Sequence, residues 1–321
     1  MVPPGSVLEV QASASSAPLI VVSVVIFLQQ MTSSSSLGYA GLVYPHHTSA
    51  NSSLLPLTEE QATWLVSVSP LAMNLGVFLS IPLGEWLGRK KMFLLSNCLS
   101  LLGHLAMYLA PTYAVLLAAR VVQMAGMGLA DVGPAVYLAE VATVKTRGPL
   151  SGVSMTASVV GTLFYTALCI RLPIQYLSLA FLAHNLLVAV LVAALLPESP
   201  QWAVRRGREA AARRGLRTLR GAAYQGVELE VAEIREVCKQ QEAAATATLA
   251  QAATSRTFLI PLATCAVLFV CVGLAGNDTM VFYGPTICAL IDVGVEASTL
   301  ATLPWIGFSL GYALSSPLMA R

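Results

Sequence analysis

Long apolar runs alternate with short polar segments along most of the 321-residue chain. A bilayer core of about 30 Å requires about 20 helical residues, and backbone polar groups in lipid must be satisfied within the spanning segment, which favours helices. Eight runs are predicted to span a membrane, near 18–40, 62–84, 92–110, 113–138, 149–170, 174–196, 257–287 and 298–319. The pattern therefore predicts an all-α membrane protein.

The composition supports the same class of protein. Hydrophobic residues make up 56% of the chain and charged residues 11%, whereas soluble domains carry about 25% charged residues. The first predicted span is unusual, because its apolar core from Pro18 to Leu28 continues into QQMTSSSS. Polar side chains at this depth predict a helix that lines a wet cavity.

Basic residues predict the orientation of the chain in the membrane. Among the predicted loops, the Lys and Arg residues lie in three segments, 85–91, 139–148 and 197–256, with Arg171 as the one exception. The positive-inside rule places these segments and both termini in the cytoplasm. The same rule places 41–61 outside, where NSS at Asn51 is a predicted glycosylation site.

The eight predicted spans divide into six, a long polar loop, and two. We predict a six-helix bundle in 1–196, a cytoplasmic helical loop in 197–256 and two further helices in 257–321. The loop contains RRGREAAARRGLRTLRG and ELEVAEIREVCKQQ, which are typical of short amphipathic helices at the inner membrane surface. A solvated helical linker fits these segments equally well.

The stretch PLGEWLGRKKMFLLSN forms the turn between the second and third predicted spans. Gly88 permits a tight turn, and Arg89 suits the cytoplasmic face. Topology alone does not explain Glu85, since an acid at a helix end is costly to bury unless it is paired. Glu140 and Arg147, in YLAEVATVKTRGPL, occupy the next cytoplasmic turn. We therefore predict that Glu85, Arg89, Glu140 and Arg147 cluster within ion-pair reach.

Five segments, in order, resemble the sugar porter family of the major facilitator superfamily. GEWLGRKK resembles the superfamily signature D-R-x-G-R-[RK], and YLAEVATVKTRG resembles the sugar porter signature Y-x-x-E-x(6)-R-G. LLPESPQWAVRRGREAA is similar to the P-E-S-P-R-x-L element that closes the sixth span, and AARVVQMAGMGLADVGPAVYLAE to the fourth span. LTEEQATWLVSVSPLAMNLG looks most like insect-type facilitated trehalose transporters. The resemblance covers about 40–321.

The resemblance implies a major facilitator fold that is truncated here to about eight transmembrane helices. The family has twelve spans in two halves, with the substrate held between them and access alternating across the membrane. The chain ends at Arg321, where a second D-R-x-G-R turn would begin with Ala320 in place of Asp. We therefore expect that the chain alone does not move sugar. The expected cytoplasmic gate comprises Glu85, Gly88, Arg89, Glu140, Arg147, Glu198 and Arg321.

The substrate site of the family is matched only in part. The seventh-span pattern Q-Q-x-[ST]-G-I-N-x-x-x-[FY]-Y resembles CVGLAGNDTMVFY, which keeps Tyr283 and has Asp278 in place of the Asn. Met155 stands where the fifth span of the family carries Gln. These three residues, Asp278, Tyr283 and Met155, are the expected substrate contacts. Asp278 is an acid within a membrane, which is costly and usually functional, whereas we interpret Asp131 as structural.

The expected activity is facilitated diffusion of trehalose or a hexose-like sugar across the plasma membrane. Proton symporters of the family carry an acid in a G-Y-D-like context in the first span, whereas LGYAGLVYP has Ala40. Asp278 leaves proton coupling open. Two alternatives remain: a truncated, non-transporting membrane protein with a regulatory or interaction role, and a carrier of a non-sugar solute.

Other chemistry has little support in the sequence. The six cysteines form no C-x-x-C pair, and His46 and His47 have no third ligand at metal spacing. The sequence also has no phosphate-binding loop and no clear nucleophile–base–acid set. We expect no enzyme activity, cofactor, metal or nucleic acid partner. The expected partners are a sugar and the lipid bilayer.

Overall fold

The structure is a computed structural model that describes residues 17–48, 55–143, 146–172, 174–221, 223–244 and 255–276, together with residues 279 and 287. Regular structure in these ranges is helical throughout. The helices that they contain are α1 Ala17–Thr48, α2 Glu59–Leu87, α3 Arg89–Tyr108, α4 Tyr113–Val141, α5 Arg147–Arg171, α6 Ile174–Leu195, α7 Pro200–Arg205, α8 Glu209–Arg220, α9 Val227–Ala244 and α10 Arg256–Leu274.

Helix α4 lies at the centre of the bundle formed by α1 to α6. It packs mainly on α2 and α3, while α1 packs mainly on α5, and α3 also contacts α6. Small residues bring α2 and α4 into backbone contact. A Cβ atom added to Gly76 would lie 2.1 Å from the Ala125 carbonyl oxygen, and one added to Gly128 would lie 2.0 Å from that of Met73. The backbones of the two helices are therefore in direct contact at these positions.

Several boundaries differ from the predicted ones for local reasons. The turn predicted at 85–91 is a single residue, Gly88, because α2 continues to Leu87 and α3 begins at Arg89. Pro70 and Pro82 lie inside α2 without ending it. At its other end, α2 begins with a capping box, in which Thr58 accepts from the Gln61 amide at 3.2 Å and the Gln61 side chain accepts from the Thr58 amide at 3.1 Å.

The first helix also differs from its prediction, since α1 extends to Thr48 rather than ending near residue 40. Its polar residues do not line a wet cavity as far as the structure describes their side chains. Gln29, Gln30, Thr32 and Ser33 are all buried against neighbouring helices, with at most 5% of each exposed. The wet-cavity prediction for these four residues is therefore wrong.

Three described helical stretches are long and apolar enough to cross a membrane: Glu59–Leu87, Tyr113–Val141 and Tyr176–Leu195. Shorter apolar stretches cover Ala17–Ser33, Thr156–Tyr165 and Arg256–Cys271. The predicted seventh span is helical from Arg256 to Leu274, and the predicted eighth, 298–319, lies outside the described residues. The all-helical class is confirmed, and the number of eight spans stays a prediction.

Helices α7, α8 and α9 form a small unit with its own apolar core, which we call the cytoplasmic unit after the predicted side of the membrane. This core comprises Trp202, Ala203, Val204, Ala212, Leu216, Tyr224, Val227, Val231 and Cys238. Arg220 of α8 is buried and forms an ion pair with Glu230 of α9 at 2.6 Å. The other arm of its guanidinium, Nη1, donates to the Val141 carbonyl at 2.9 Å. The unit therefore docks on the end of α4, at the opposite end of the bundle from 55–58.

Candidate functional site

The junction between α2 and α3 is the first component of the candidate site. Gly88 joins the two helices with a φ of 95°, a conformation that costs other residues free energy. The first amides of α3 have no partner within their own helix. Glu198 supplies one from a distant part of the chain, since its Oε1 accepts from the Arg89 amide at 2.7 Å and the Lys90 amide at 3.2 Å. A carboxylate at this helix end is also favoured by the helix dipole.

The Arg89 side chain is the centre of an ion-pair cluster at the same corner. Its Nη2 lies 2.9 Å from Glu85 Oε1 and 2.7 Å from Glu140 Oε1. Its Nε donates to both oxygens of Glu140 at 3.2 Å. Only 8% of the Arg89 and Glu140 side chains is exposed, whereas 46% of Glu85 is. One buried guanidinium therefore joins α2, α3 and α4.

The cytoplasmic unit adds a second layer of contacts to this cluster. Arg205 lies 3.4 Å from both Glu85 Oε1 and Glu140 Oε1. Trp202 Nε1 donates to the Glu85 carbonyl at 2.8 Å, and Arg206 Nη2 donates to the same carbonyl at 2.7 Å. These donors satisfy a carbonyl in the last turn of α2, where intrahelical partners are lacking. We call Glu85, Arg89, Glu140, Glu198, Trp202, Arg205 and Arg206 the corner cluster.

A second polar network lies inside the bundle. Arg120 Nε donates to Ser69 Oγ at 2.9 Å, and its Nη1 donates to Gln123 Oε1 at 2.6 Å. Gln123 Nε2 lies 3.0 Å from His104 Nε2, and His104 Nδ1 lies 2.8 Å from the Ser100 carbonyl. Because the carbonyl can only accept, Nδ1 carries the proton and Nε2 accepts from the Gln123 amide. This network links α2, α3 and α4 around one buried cation.

A third set of polar contacts involves α1. Asn97 Nδ2 donates to Gln29 Oε1 at 2.7 Å, and Gln30 Nε2 donates to Ser158 Oγ at 3.0 Å. The Asp131 carboxyl of α4 lies near the Gln30 side chain. The interpretation of Asp131 as structural stays a prediction.

Comparison with known proteins assigns the chain to a family. The family model described as "Sugar (and other) transporter" matches residues 13–310. The chain belongs to this family. The predicted resemblance to sugar porters is thereby confirmed.

Relatives of this sugar transporter family member include bacterial, insect and human carriers. It is 30% identical over 285 residues to the probable metabolite transport protein CsbC of Bacillus subtilis, covering 82% of this chain and 58% of the relative. It is 33% identical over 168 residues to the facilitated trehalose transporter Tret1 of Culex quinquefasciatus, covering 51% of this chain and 32% of the relative. It is 35% identical over 191 residues to human solute carrier family 2, facilitated glucose transporter member 6, covering 58% of this chain and 37% of the relative. The chain thus spans no more than 58% of these relatives.

Solved structures of the xylose transporter XylE have the same fold as this chain. The xylose transporter XylE from E. coli, in a partially occluded inward-open conformation, matches with a TM-score of 0.66 at 16% identity, covering 93% of this chain and 70% of that chain. The proton:xylose symporter XylE bound to 6-bromo-6-deoxy-D-glucose matches with a TM-score of 0.63 at 16% identity, covering 95% and 82%.

The structure brings five of the predicted gate residues into contact. Glu85, Arg89 and Glu140 form ion pairs, and Glu198 binds the first amides of α3. Gly88 lies against Glu198, because an added Cβ would be 2.5 Å from its Oε2. The backbone of Arg147 begins α5, its side chain is not among those described, and Arg321 lies outside the described residues.

The predicted substrate contacts are described less fully. Met155 lies within α5, but its side chain is not described, and Asp278, Tyr283 and Asn51 lie outside the described residues. Sequence reasoning missed Trp202, Arg205 and Arg206 as members of the corner cluster. Their signal was the run QWAVRR directly after the P-E-S-P element, which we assigned only to a basic helical loop.

Proposed function

We propose that this sugar transporter family member acts as a facilitative carrier of a trehalose or hexose-like sugar by alternating access. The observation that carries the proposal is the corner cluster, in which Arg89 joins Glu85 and Glu140. Alternating access requires one bundle to rock as a unit around a fixed site. A buried cation shared by three helix ends supports such rigid-body motion, because the ends cannot separate without exposing an uncompensated charge.

We further propose that the chain is organised as predicted: a bundle in 1–196, a cytoplasmic helical loop in 197–256 and two helices in 257–321, with eight spans in all. Basic loops alternate with loops that are nearly free of Lys and Arg, which supports cytoplasmic termini. The cytoplasmic unit docks at the Glu85 end of α2, which is consistent with this orientation. The plasma membrane and glycosylation at Asn51 complete this topology. Asp278, Tyr283 and Met155 remain the proposed substrate contacts, and Arg147 and Arg321 remain proposed gate residues.

The first span supports transport without a proton gradient. No Asp or Glu lies in the sequence between Gln11 and Leu57, and Ala40 stands where symporters of the family are expected to carry an acid. These observations favour a facilitator over a symporter.

Uptake of labelled trehalose and glucose into proteoliposomes tests the proposal. For a version with the twelve spans of the family, we expect saturable uptake that a proton ionophore does not change. Arg89→Ala should reduce uptake strongly, whereas Arg213→Ala should leave it near the wild-type rate. Arg213 is a matched control because it also pairs with carboxylates, Glu209 and Glu228, but on the exposed side of the cytoplasmic unit.

The possible outcomes separate the candidate functions. A folded twelve-span version that takes up neither the two sugars nor any other tested solute favours the non-transporting alternative. Uptake that stops when the ionophore is added contradicts the facilitator assignment. Saturable uptake of another solute, without saturable uptake of either sugar, favours a carrier of a non-sugar solute.

A further inference from the structure

Tyr137 of α4 connects the bundle to the turn that carries Glu198. Its hydroxyl donates to the carbonyl of Pro197 at 2.9 Å, and the next residue, Glu198, binds the first amides of α3. We propose that Tyr137 is a positioning residue of the cytoplasmic gate, which holds this turn against α4 and thereby places the Glu198 carboxylate at the start of α3. The inference rests on the proposed carrier function and adds a residue that the predicted gate lacks.

Packing fixes the ring of Tyr137. The side chain is fully buried, and its ring lies 6.0 Å from that of Phe93 of α3 at an interplanar angle of 74°, an edge-to-face contact that aromatic pairs favour. Gly133, one helical turn earlier on α4, leaves room for Phe93, since an added Cβ would lie 2.7 Å from its Cε1. The ring therefore directs its hydroxyl to a fixed position.

The acceptor of this hydroxyl lies outside regular structure. Helix α6 ends at Leu195 and α7 begins at Pro200, so Pro197 belongs to the turn between them. Among the described contacts, the Tyr137 hydroxyl is the donor that reaches the Pro197 carbonyl. A buried phenol costs free energy when it has no acceptor. The hydrogen bond therefore satisfies the phenol and ties the turn to α4.

The orientation of Glu198 follows from that of Pro197. The Pro197 carbonyl and the Glu198 amide belong to one planar peptide group, so a hydrogen bond to the carbonyl also fixes the backbone from which the Glu198 side chain extends. Glu198 Oε1 accepts from the amides of Arg89 at 2.7 Å and Lys90 at 3.2 Å. Rotation of this peptide group would therefore move the carboxylate away from α3.

Helix α4 thus acts on Arg89 by two routes. Glu140 binds the guanidinium directly, at 2.7 Å, whereas Tyr137 acts on the Arg89 amide through Pro197 and Glu198. Residues three apart share one face of a helix, so a movement of this end of α4 shifts both contacts at once. Switching between two packed arrangements requires contacts that change together, and Tyr137 supplies the second of the two.

Hydrogen exchange at the first amides of α3 tests this role in the full 321-residue chain in detergent. Tyr137→Phe keeps the buried ring and removes the hydroxyl. It should speed exchange of the Arg89 and Lys90 amides about fivefold, because their acceptor is no longer held in place. Tyr224→Phe is the matched control. It also removes a buried hydroxyl, one that donates to a carboxylate of the cytoplasmic unit at 3.0 Å, and should leave both amides unchanged.

A double variant separates positioning from general loosening. Glu198→Ala removes the acceptor itself and should speed exchange of the two amides at least as much as Tyr137→Phe does. Adding Tyr137→Phe to Glu198→Ala should speed it no further, because Tyr137 acts through Glu198. Effects that multiply in the double variant overturn the proposal. Unchanged exchange in Tyr137→Phe, or an equal rise along the whole of α3, overturns it as well.

Sugar uptake by a version with the twelve spans of the family supplies the functional measurement. Tyr137 is not among the proposed substrate contacts, so Tyr137→Phe should lower the maximal rate about fivefold and leave KM near the wild-type value. An unchanged maximal rate, or a raised KM alone, overturns the gating role. No uptake by the wild type overturns the proposed carrier function, whereas the exchange measurements still decide whether Tyr137 positions Glu198.

Discussion

Replacing Gly88 by alanine tests whether the α2–α3 junction and Glu198 act as one unit. Gly88 has a φ of 95°, and an added Cβ would lie 2.5 Å from Glu198 Oε2 and 2.8 Å from its Cδ. The carboxylate would have to move away. It would then leave the amides of Arg89 and Lys90, which it now accepts from at 2.7 and 3.2 Å.

The expected loss of stability has two parts. Placing an alanine at φ 95° and ψ 166°, a region that is essentially limited to glycine, costs about 1 kcal/mol or somewhat more. Hydrogen bonds to a charged group contribute about 1.5 to 3 kcal/mol each, so weakening two of them at a half-buried helix end adds about 3 kcal/mol. Gly88→Ala should therefore destabilise the protein by about 4 kcal/mol.

Gly207 provides a matched control for the backbone part. It also has a positive φ, 67°, but an added Cβ meets no atom within 4 Å. Gly207→Ala should therefore lower the free energy of unfolding by only about 1 kcal/mol. The difference of about 3 kcal/mol between the two variants isolates the displacement of Glu198.

Thermal unfolding in detergent measures this difference, and Gly88→Ala should lower Tm more than Gly207→Ala does. Glu198→Ala and the double variant Gly88→Ala/Glu198→Ala complete a double-mutant cycle. In the Glu198→Ala background, Gly88→Ala should lose only the backbone part, because no carboxylate remains to be displaced. Equal falls in Tm for Gly88→Ala and Gly207→Ala would refute the reasoning.

Three further predictions concern packing, docking and pH. Gly128→Ala should lower Tm sharply, because its Cβ would lie 2.0 Å from a carbonyl oxygen of α2, whereas Gly152→Ala, with open space, should not lower it. Arg220→Met should increase proteolysis of the cytoplasmic unit, because it leaves Glu230 buried without its 2.6 Å ion pair; unchanged proteolysis would contradict the docking. Burial and the nearby charge of Glu230 raise the pKa of Glu233, so its protonated form stabilises the fold, and this stability is lost as pH rises through the raised pKa. Glu233→Gln should then raise Tm at neutral pH but not at pH values below the ordinary pKa of a glutamate.

The sequence allowed part of the corner cluster to be predicted on electrostatic grounds. An acid in the last turn of a helix needs a partner, and Glu85 and Arg89 are four residues apart with Glu140 at the next cytoplasmic turn. Periodicity gave no corresponding signal for Trp202 or Arg206. Their donors reach the Glu85 carbonyl, a contact between segments more than 100 residues apart that depends on the tertiary arrangement.

The polar residues of the first helix show where pattern reasoning fails. A run of polar residues after an apolar core has the same composition whether it faces water or other polar side chains. Gln29 pairs with Asn97 of α3, and Gln30 with Ser158 of α5, so these residues are buried. The sequence shows that such groups need hydrogen bonds but not whether water or another helix supplies them.

Glu85 and Arg89 each form contacts through both the backbone and the side chain. The Glu85 carboxylate binds Arg89 while its carbonyl accepts from the cytoplasmic unit. The Arg89 guanidinium binds Glu85 and Glu140 while its amide donates to Glu198. A movement of α7 away from α2 would therefore free a carbonyl, and a movement of Glu198 would free the first amides of α3. Because each loss exposes a group that the fold otherwise satisfies, we expect the helix ends and the cytoplasmic unit to move together. Under the proposed alternating access, rocking of the bundle would then move α7, α8 and α9 with it.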